Sequence, residues 1–410
     1  MAFPWLQILL LVTKAFFHVL MQPFYWLVVV LVWYLYRRMQ MTRESLYGIK
    51  ASAARVTVLS VLWGLVGGLL GSLVIIFFGI SVDNVGIGYL WLLALVLMLF
   101  NPRFLCFSYA GGILALFSLL TGRPDINIPS LMGLIAVLHL VESILILTSG
   151  HYEPLPVYVS KGQGEVVGAF NLQKFWPIPL AVLMVIGSSQ QIHGELIKTP
   201  SWWPLISPPG VGKPQDLVYG IFPVFAALGY GELAIARMPR DRVRRSAFYL
   251  GIFSIVLLGL SVFSSHFPKA AVIPALFSPL GHEMVIYLGR REEFRERPRF
   301  VPPRQGMMVL DVVKESPAEA AGIRSGEIIY SVGGFPVNSR SEFHHALAYA
   351  RPFVTLCVAG DGGQPRRISL RLPDGVPFGV IPVPEENDPP NVSYLVESPL
   401  RNLRRRIFKR

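Results

Sequence analysis

The sequence predicts a polytopic α-helical membrane domain followed by a small α+β domain. Of its 410 residues, 53% are hydrophobic and only 15% are charged, and the apolar residues form long runs typical of membrane-crossing helices. These runs stop near Gly289, and from Gly306 onward glycines, prolines and alternating apolar residues predict short strands and turns. We therefore place the membrane domain at 1–289, the small domain at 290–381, and a proline-rich linker with a basic tail at 382–410.

Ten apolar segments make up the membrane domain. They lie at about 4–20, 24–36, 57–79, 88–100, 104–120, 130–148, 176–188, 218–236, 247–265 and 270–288. A helix that crosses the bilayer needs about 20 apolar residues, and several of these segments are shorter. The prediction is therefore eight to ten spans, with 24–36 and 176–188 as the weakest candidates.

Basic residues predict the orientation in the membrane. They concentrate in three places, namely 37–55, 237–245 and the stretch that begins at Arg290. Cytoplasmic loops collect Lys and Arg, so we expect all three, and the small domain with them, to be cytoplasmic. The same rule accounts for the formal net charge of +12, and we predict no nucleic-acid partner.

The small domain has a distinctive local pattern. Met308–Val313 is a predicted strand, and Ser316 caps a short helix that begins at Pro317 and ends at Gly322. Glu327–Val332 is a second predicted strand.

The rest of that domain is predicted to contain one longer helix and two more strands. Ser339–Ala350 predicts a helix, and Val354–Ala359 and Arg367–Leu372 predict two more strands. The run SPAEAAGI, followed by a polar turn and GEII, resembles a PDZ domain of the bacterial type. That resemblance implies a domain that binds an extended peptide as an added strand and performs no chemistry.

We expect the peptide groove to lie between the 339–350 helix and a strand at Arg297–Pro303. Arginines around that strand would favour an acidic peptide or a carboxylate terminus. The predicted peptide-binding residues are Phe300, Val301, Phe343, Ala346, Leu347 and Ala350. For Phe343 and Leu347, a place in the domain core is the alternative that the sequence leaves open.

Five ionisable residues of the later apolar segments stand out, because charge inside a membrane is costly. They are His139, Glu142, Glu232, His282 and Glu283. We interpret them as groups that hydrogen-bond between helices. A proton relay in a small-solute transporter is the alternative that the sequence leaves open.

Residues 282–286 read HEMVI and come close to the HExxH zinc motif of site-2 intramembrane proteases. The second histidine is replaced by Ile286, which cannot bind a metal. We therefore predict that the protein is not an enzyme, with no catalytic residue, metal or cofactor. A protease-like alternative survives only through a different metal arrangement that uses His139.

The whole chain resembles the MinJ-type topological determinants of division-site selection. The shared features are the multispan domain, Tyr36–Arg37–Arg38 after an early span, SPLGHE at 278–283, and the terminal PDZ domain. The resemblance implies a bacterial cell-membrane adaptor at septum and poles. It would link a curvature-sensing division-site scaffold to a MinD-like ATPase through the PDZ domain. The basic tail, from Arg401 to Arg410, is predicted to contact anionic lipid.

Overall fold

The computed structural model describes residues 3–48, 52–162, 165–188, 197, 199–207, 217–360 and 363–391. The N-terminal region contains helices α1 (Trp5–Met21), α2 (Pro23–Tyr47), α3 (Ala53–Phe78), α4 (Ile87–Phe100), α5 (Phe107–Thr121), α6 (Ile128–Ser149), α7 (Pro239–His266) and α8 (Val272–Arg295). Three strands stand between α6 and α7: β1 (Leu155–Gly162), β2 (Glu165–Ser188) and β3 (Leu217–Ala234). They form one antiparallel sheet in the order β1-β2-β3.

The prediction of eight to ten spans is wrong. Among the described residues, α3, α6, α7 and the α8 region are long and apolar enough to cross a membrane. The bent pair α1–α2 raises that number to five. The apolar segments 176–188 and 218–236 form strands β2 and β3 instead of helices. Prolines and glycines explain the difference, because both weaken a helix interior and β2 and β3 contain several of each.

Helices α4 and α5 form a short helical hairpin. They have 14 and 15 residues, and a 3-10 turn, Pro102–Leu105, joins them. The base of the hairpin lies beside the start of α6, where Asn127 N–H donates to the Asn84 carbonyl at 2.7 Å. Each arm is shorter than a span, and at the tip of the hairpin Pro102 and Leu105 are exposed whereas Cys106 is half-buried.

One edge of β2 pairs with β3, and beyond Leu172 the other edge faces helices. Its N–H groups find acceptors on neighbouring elements. Phe175 N–H donates to the Tyr36 hydroxyl at 3.0 Å, Ala181 N–H to Ser72 Oγ at 2.8 Å, and Val185 N–H to Asp83 Oδ2 at 2.7 Å. At two positions between the first and second of these donors, 177 and 179, β2 has proline, which has no N–H.

Helix α3 lies against this edge at those two prolines. A Cβ on Gly64 would come within 2.1 Å of the Pro177 carbonyl oxygen, and a Cβ on Gly68 within 2.0 Å of the Pro179 oxygen. No real Cβ approaches an oxygen so closely, so only glycine allows the helix to touch the strand here. Two more glycines of the helix, Gly67 and Gly71, lie against α6. A Cβ at either position would be about 3.0 Å from the Val141 side chain.

One end of the bundle is rich in arginine. At one end, Arg43 donates to the Pro154 carbonyl at 2.6 Å, and Arg237 and Arg245 contact Glu292 at the end of α8. The C-terminal domain follows at this basic end. At the opposite end, Ile206 N–H donates to the Phe78 carbonyl at 2.9 Å.

The C-terminal domain is a six-stranded antiparallel sheet with two helices. Its elements are β4 (Met307–Val312), α9 (Pro317–Ala320), β5 (Ile328–Val332), β6 (Phe335–Pro336), α10 (Arg340–Ala350), β7 (Phe353–Ala359), β8 (Arg366–Arg371) and β9 (Val380–Pro382). The sheet order is β8-β7-β5-β4-β9, with β6 paired to β5. The predicted fold class, a helical region followed by a small β-rich domain, is therefore confirmed, and the elements predicted from Met308 to Leu372 agree with the structure within a few residues.

Replacing Gly68 by alanine tests the contact between α3 and β2. The added methyl would overlap the Pro179 carbonyl, so Gly68→Ala should destabilise the protein by about 1–3 kcal/mol or more. Gly259→Ala is the matched control, because nothing lies within 4 Å of a Cβ there and alanine favours a helix by about 1 kcal/mol. The measurement is the temperature at which the detergent-solubilised protein aggregates. Equal temperatures for Gly68→Ala and wild type would contradict the close approach.

Candidate functional site

A cleft of about 1160 Å³ opens on the C-terminal domain between α10 and the β9 strand. Residues 379–382 line it on the β9 side, and α10 lines it on the other. Among the described residues, strand β9 pairs with β4 on one side. Its other edge faces the cleft, where Tyr158 already binds the Pro382 carbonyl and Val380 is left for an added strand. This is the arrangement in which a domain binds an extended peptide by extending its sheet.

The local sequence explains how β9 reaches the cleft. Gly379 has φ +89°, and a Cβ at this position would lie 2.2 Å from the Ser316 Cβ, so the turn into β9 requires glycine. Pro382 ends the strand and has no N–H to donate. The strand therefore offers few backbone groups for pairing.

Helix α10 is positioned by a capping box. Ser339 Oγ accepts from Glu342 N–H at 3.1 Å, and the Glu342 carboxylate accepts from Asn338 N–H at 2.7 Å. This places Phe343 and Leu347 both in the domain core, each 4% exposed, and at the floor of the cleft. Ala346 is buried in the same core, and Ala350 packs against it; neither lines the cleft.

The prediction that Phe300 and Val301 line the groove is wrong. Phe300 is fully buried against the membrane domain, where Gly168 N–H donates to its carbonyl at 2.9 Å. Its ring meets that of Phe170 edge-on, with the centroids 5.3 Å apart. Val301 packs against the cluster around Leu155. The 297–303 segment therefore lies between the two domains, and the strand that lines the cleft is β9.

The strand opposite α10 was misplaced because it comes from the far end of the domain. The predicted edge preceded β4 in the chain, whereas β9 follows β8. Gly375 and Gly379, both with positive φ, flank a short apolar run and are the sequence signal for the turn that delivers this strand. The arginines from which an acidic ligand was predicted surround the 297–303 segment, and that segment does not line the cleft.

The membrane domain forms part of the cleft wall. Tyr47 from α2 and Tyr158 from β1 both line it. The Tyr158 hydroxyl donates to the Pro382 carbonyl at 2.9 Å, and the Tyr47 hydroxyl to the Pro156 carbonyl at 3.0 Å. The cleft is thus built from both domains.

The chain after β9 is docked as well, where the sequence had predicted a proline-rich linker. Asn391 N–H donates to the Tyr158 carbonyl at 3.0 Å, and its side chain accepts from Tyr158 N–H at 2.7 Å. Arg340 of α10 forms an ion pair with Asp388 at 2.7 Å. The predicted lipid-binding tail, Arg401 to Arg410, lies outside the described residues.

An ion pair beside the cleft also joins the domains. Lys314, after β4, contacts Glu153, after α6, at 2.7 Å. Burial opposes ionisation of Glu153, but the hydrogen bond and the charge of Lys314 outweigh it and lower the pKa of that carboxyl. The carboxylate therefore stays charged at neutral pH.

Glu232 lies on strand β3, close to the basic end of the bundle, where a helical span was predicted. Arg242 of α7 contacts it at 2.9 Å, and the Tyr230 hydroxyl donates to it at 2.9 Å. Nearby, Glu293 of α8 is 2% exposed and accepts from the N–H groups of Ile235 and Ala236. These contacts join α8 to the β3–α7 turn.

The other predicted polar residues gather inside the bundle. His139, near the middle of α6, lies beside His282 of α8, and their ring centroids are 5.1 Å apart. Cys106, at the tip of the α4–α5 hairpin, contacts both rings. Glu142 lies one helical turn beyond His139.

Glu283 contacts a different set of partners. Its carboxylate accepts from the Tyr109 hydroxyl at 2.6 Å and contacts Arg103 at 3.3 Å. Two further side chains of the metal-ligating type, His139 and Cys106, lie next to His282. The sequence analysis missed Cys106; the Asn101–Pro102 break between two short apolar segments is the signal for a hairpin that carries it inward.

Comparison with known proteins agrees with this architecture. Residues 295–358 match the family model of the PDZ domain. The C-terminal domain is a PDZ domain. Strands β8 and β9 lie beyond the matched range but belong to the same sheet.

Part of the chain is similar to the "Cell division topological determinant MinJ" of Bacillus subtilis (strain 168). The two are 28% identical over 242 residues, which span 58% of this chain and 57% of the relative. The aligned part thus covers little more than half of either protein. Both findings are consistent with a MinJ-type protein.

Truncating Phe300 tests the docking of the PDZ domain. Burial of this ring contributes about 3–5 kcal/mol, judged from core Phe→Ala substitutions, so Phe300→Ala should open the interface. Limited proteolysis of the full-length protein should then cut within 297–305 much faster than in wild type. Phe335→Ala, at a ring that is 48% exposed, is the control and should leave the rate unchanged. An unchanged rate for Phe300→Ala would rule out this contact as the anchor.

Proposed function

We propose that this protein is a membrane-anchored adaptor that recruits a protein partner in division-site selection. The observation that carries the proposal is the cleft between α10 and the free edge of β9, which suits an extended peptide. Similarity to a cell division topological determinant supports the process. The PDZ domain supports the recruiting role.

The partners follow from the resemblance to MinJ-type proteins. They are a division-site scaffold at septum and poles and a MinD-like ATPase, which this protein would bridge. The cleft accepts one peptide at a time, so the second partner has to use another surface.

We also propose that the protein works without catalysis. Ile286 occupies the position at which the HExxH motif needs its second histidine. The carboxylate of Glu283 is engaged by Tyr109 and Arg103, whereas the motif needs it free to activate water. An adaptor needs no turnover, only an accessible cleft.

Blocking the cleft tests the adaptor role. Ala348 is an exposed residue of α10 that lines the cleft, so Ala348→Trp should fill the groove without disturbing the core. Tyr349→Trp is the matched control, since Tyr349 is 79% exposed and outside the cleft. We expect Ala348→Trp to weaken partner binding about tenfold or more, the effect of losing about 1.4 kcal/mol.

The readout is the position of septa in living cells that produce each variant at wild-type membrane levels. Ala348→Trp should displace septa towards the poles, and Tyr349→Trp should not. Normal septum placement with Ala348→Trp would show that the cleft is not needed for this function.

The PDZ domain is proposed to be cytoplasmic. The support is that the basic loops around Arg43 and Arg237 lie at the bundle end that carries the PDZ domain, and cytoplasmic ends collect basic residues.

Cysteine labelling tests this orientation. A membrane-impermeant maleimide added to intact cells should not modify Ser341→Cys, an exposed position on α10. It should modify Lys269→Cys, an exposed position at the opposite end. The parent protein controls for the two native cysteines. The reverse pattern would invert the orientation.

A further inference from the structure

The strongest unexplained feature is the cluster of Cys106, His139 and His282 inside the membrane domain. One ligand-type atom from each of the three side chains lies within 4.8 Å of the others. The residues come from three separate elements, namely the tip of the α4–α5 hairpin, α6 and α8. The adaptor function does not use them.

The spacing of the donor atoms fits a metal ion. Cys106 Sγ is 3.1 Å from His139 Nε2 and 3.6 Å from His282 Nε2. Zinc binds sulfur at about 2.3 Å and nitrogen at about 2.0–2.1 Å in a tetrahedron, which sets neighbouring S and N ligands about 3.5 Å apart. Both distances are close to that value.

The ring of His139 is also oriented for binding. Its Nδ1 is 2.8 Å from the Ile135 carbonyl, an acceptor, so Nδ1 carries the proton. The lone pair is therefore on Nε2, which faces Cys106. Metal-bound histidines are commonly held in this way, by a carbonyl on the nitrogen that does not bind the metal.

The hydrogen bonds of the cluster are poorly matched without an ion. Cys106 Sγ and Ser108 Oγ, the latter at 3.3 Å, both approach His139 Nε2, and the single thiol proton of Cys106 can serve only one of the two imidazoles. In the described part of the chain, the buried Nδ1 of His282 has no hydrogen-bond partner. Inside a protein such unsatisfied groups are costly.

We propose that Cys106, His139 and His282 bind a Zn²⁺ ion that joins the α4–α5 hairpin to α6 and α8. One thiolate and two imidazoles are the donor types that zinc prefers. On binding, the Cys106 thiol loses its proton, and sulfur and both nitrogens each donate a lone pair to the ion. No oxidation or reduction is involved. The proposal is independent of the adaptor function and stands or falls separately.

Metal analysis of the full-length protein in detergent provides the first test. Protein stripped with a chelator, incubated with zinc and desalted should retain about one Zn²⁺ per chain. Cys106→Ser should lose that ion. Cys357→Ser is the matched control: Cys357 is the other cysteine of the chain and lies in the PDZ domain, so this variant should keep the zinc.

Cobalt gives a spectroscopic signature that a hydrogen-bonded cluster cannot produce. Co²⁺ in the stripped wild type and in Cys357→Ser should show a thiolate-to-metal charge-transfer band in the near ultraviolet. The band should be absent from Cys106→Ser. Retention of the full band in Cys106→Ser would overturn the assignment.

The wild-type protein offers a test that does not depend on a variant's folding. Zinc should slow alkylation of Cys106 at least tenfold and leave Cys357 unaffected, as read by mass spectrometry of the labelled peptides. Zinc should also raise the aggregation temperature of the wild type, because an ion that binds only the folded state stabilises it. Alkylation of Cys106 at equal rates with and without zinc, or no retained metal, would reduce the cluster to hydrogen bonds only.

Discussion

A strand edge buried among helices is the constraint on which the membrane domain depends. Unpaired peptide groups cost several kcal/mol each in an apolar environment. The N–H groups of β2 at 175, 181 and 185 donate to side-chain acceptors on neighbouring elements, and the residues at 177 and 179 are prolines. The prolines remove donors at the points where α3 comes closest, and Gly64 and Gly68 allow that approach. Because the same helix packs on α6 through its next glycines, the strand edge indirectly sets the position of the helix that carries His139.

Sequence reasoning succeeded where the information is local. The SPAEAAGI run specifies a capped helix between two strands, since Ser316, Pro317 and Gly322 act on neighbouring residues. Sequence reasoning failed where two segments far apart in the chain could each form the same strand. The strand opposite α10 could precede or follow the domain, and only the packed structure distinguishes β9 from the 297–303 segment. For β2 a local signal did exist, because two prolines two residues apart suit a strand better than a helix.

The candidate sites show the same division. Phe343 and Leu347 were predicted from the apolar face of one helix, and in the structure they belong to the core and line the cleft. His139 and His282 were noticed as costly polar residues, but their meeting depends on the crossing of α6 and α8. Cys106 was not predicted to be a site residue, because a lone cysteine in an apolar run is usually a small buried hydrophobe. Only the turn between α4 and α5 carries it to the two rings.

Because Tyr47 and Tyr158 of the membrane domain stand in its wall, the cleft is not a free-standing receptor on a tether. It lies at the basic end of the bundle. A segment that is itself confined to the same membrane surface meets this cleft at a far higher effective concentration than the same segment free in solution. The geometry thus selects for partners by where they reside as well as by what they contain, and a weak intrinsic affinity suffices for a membrane-bound partner.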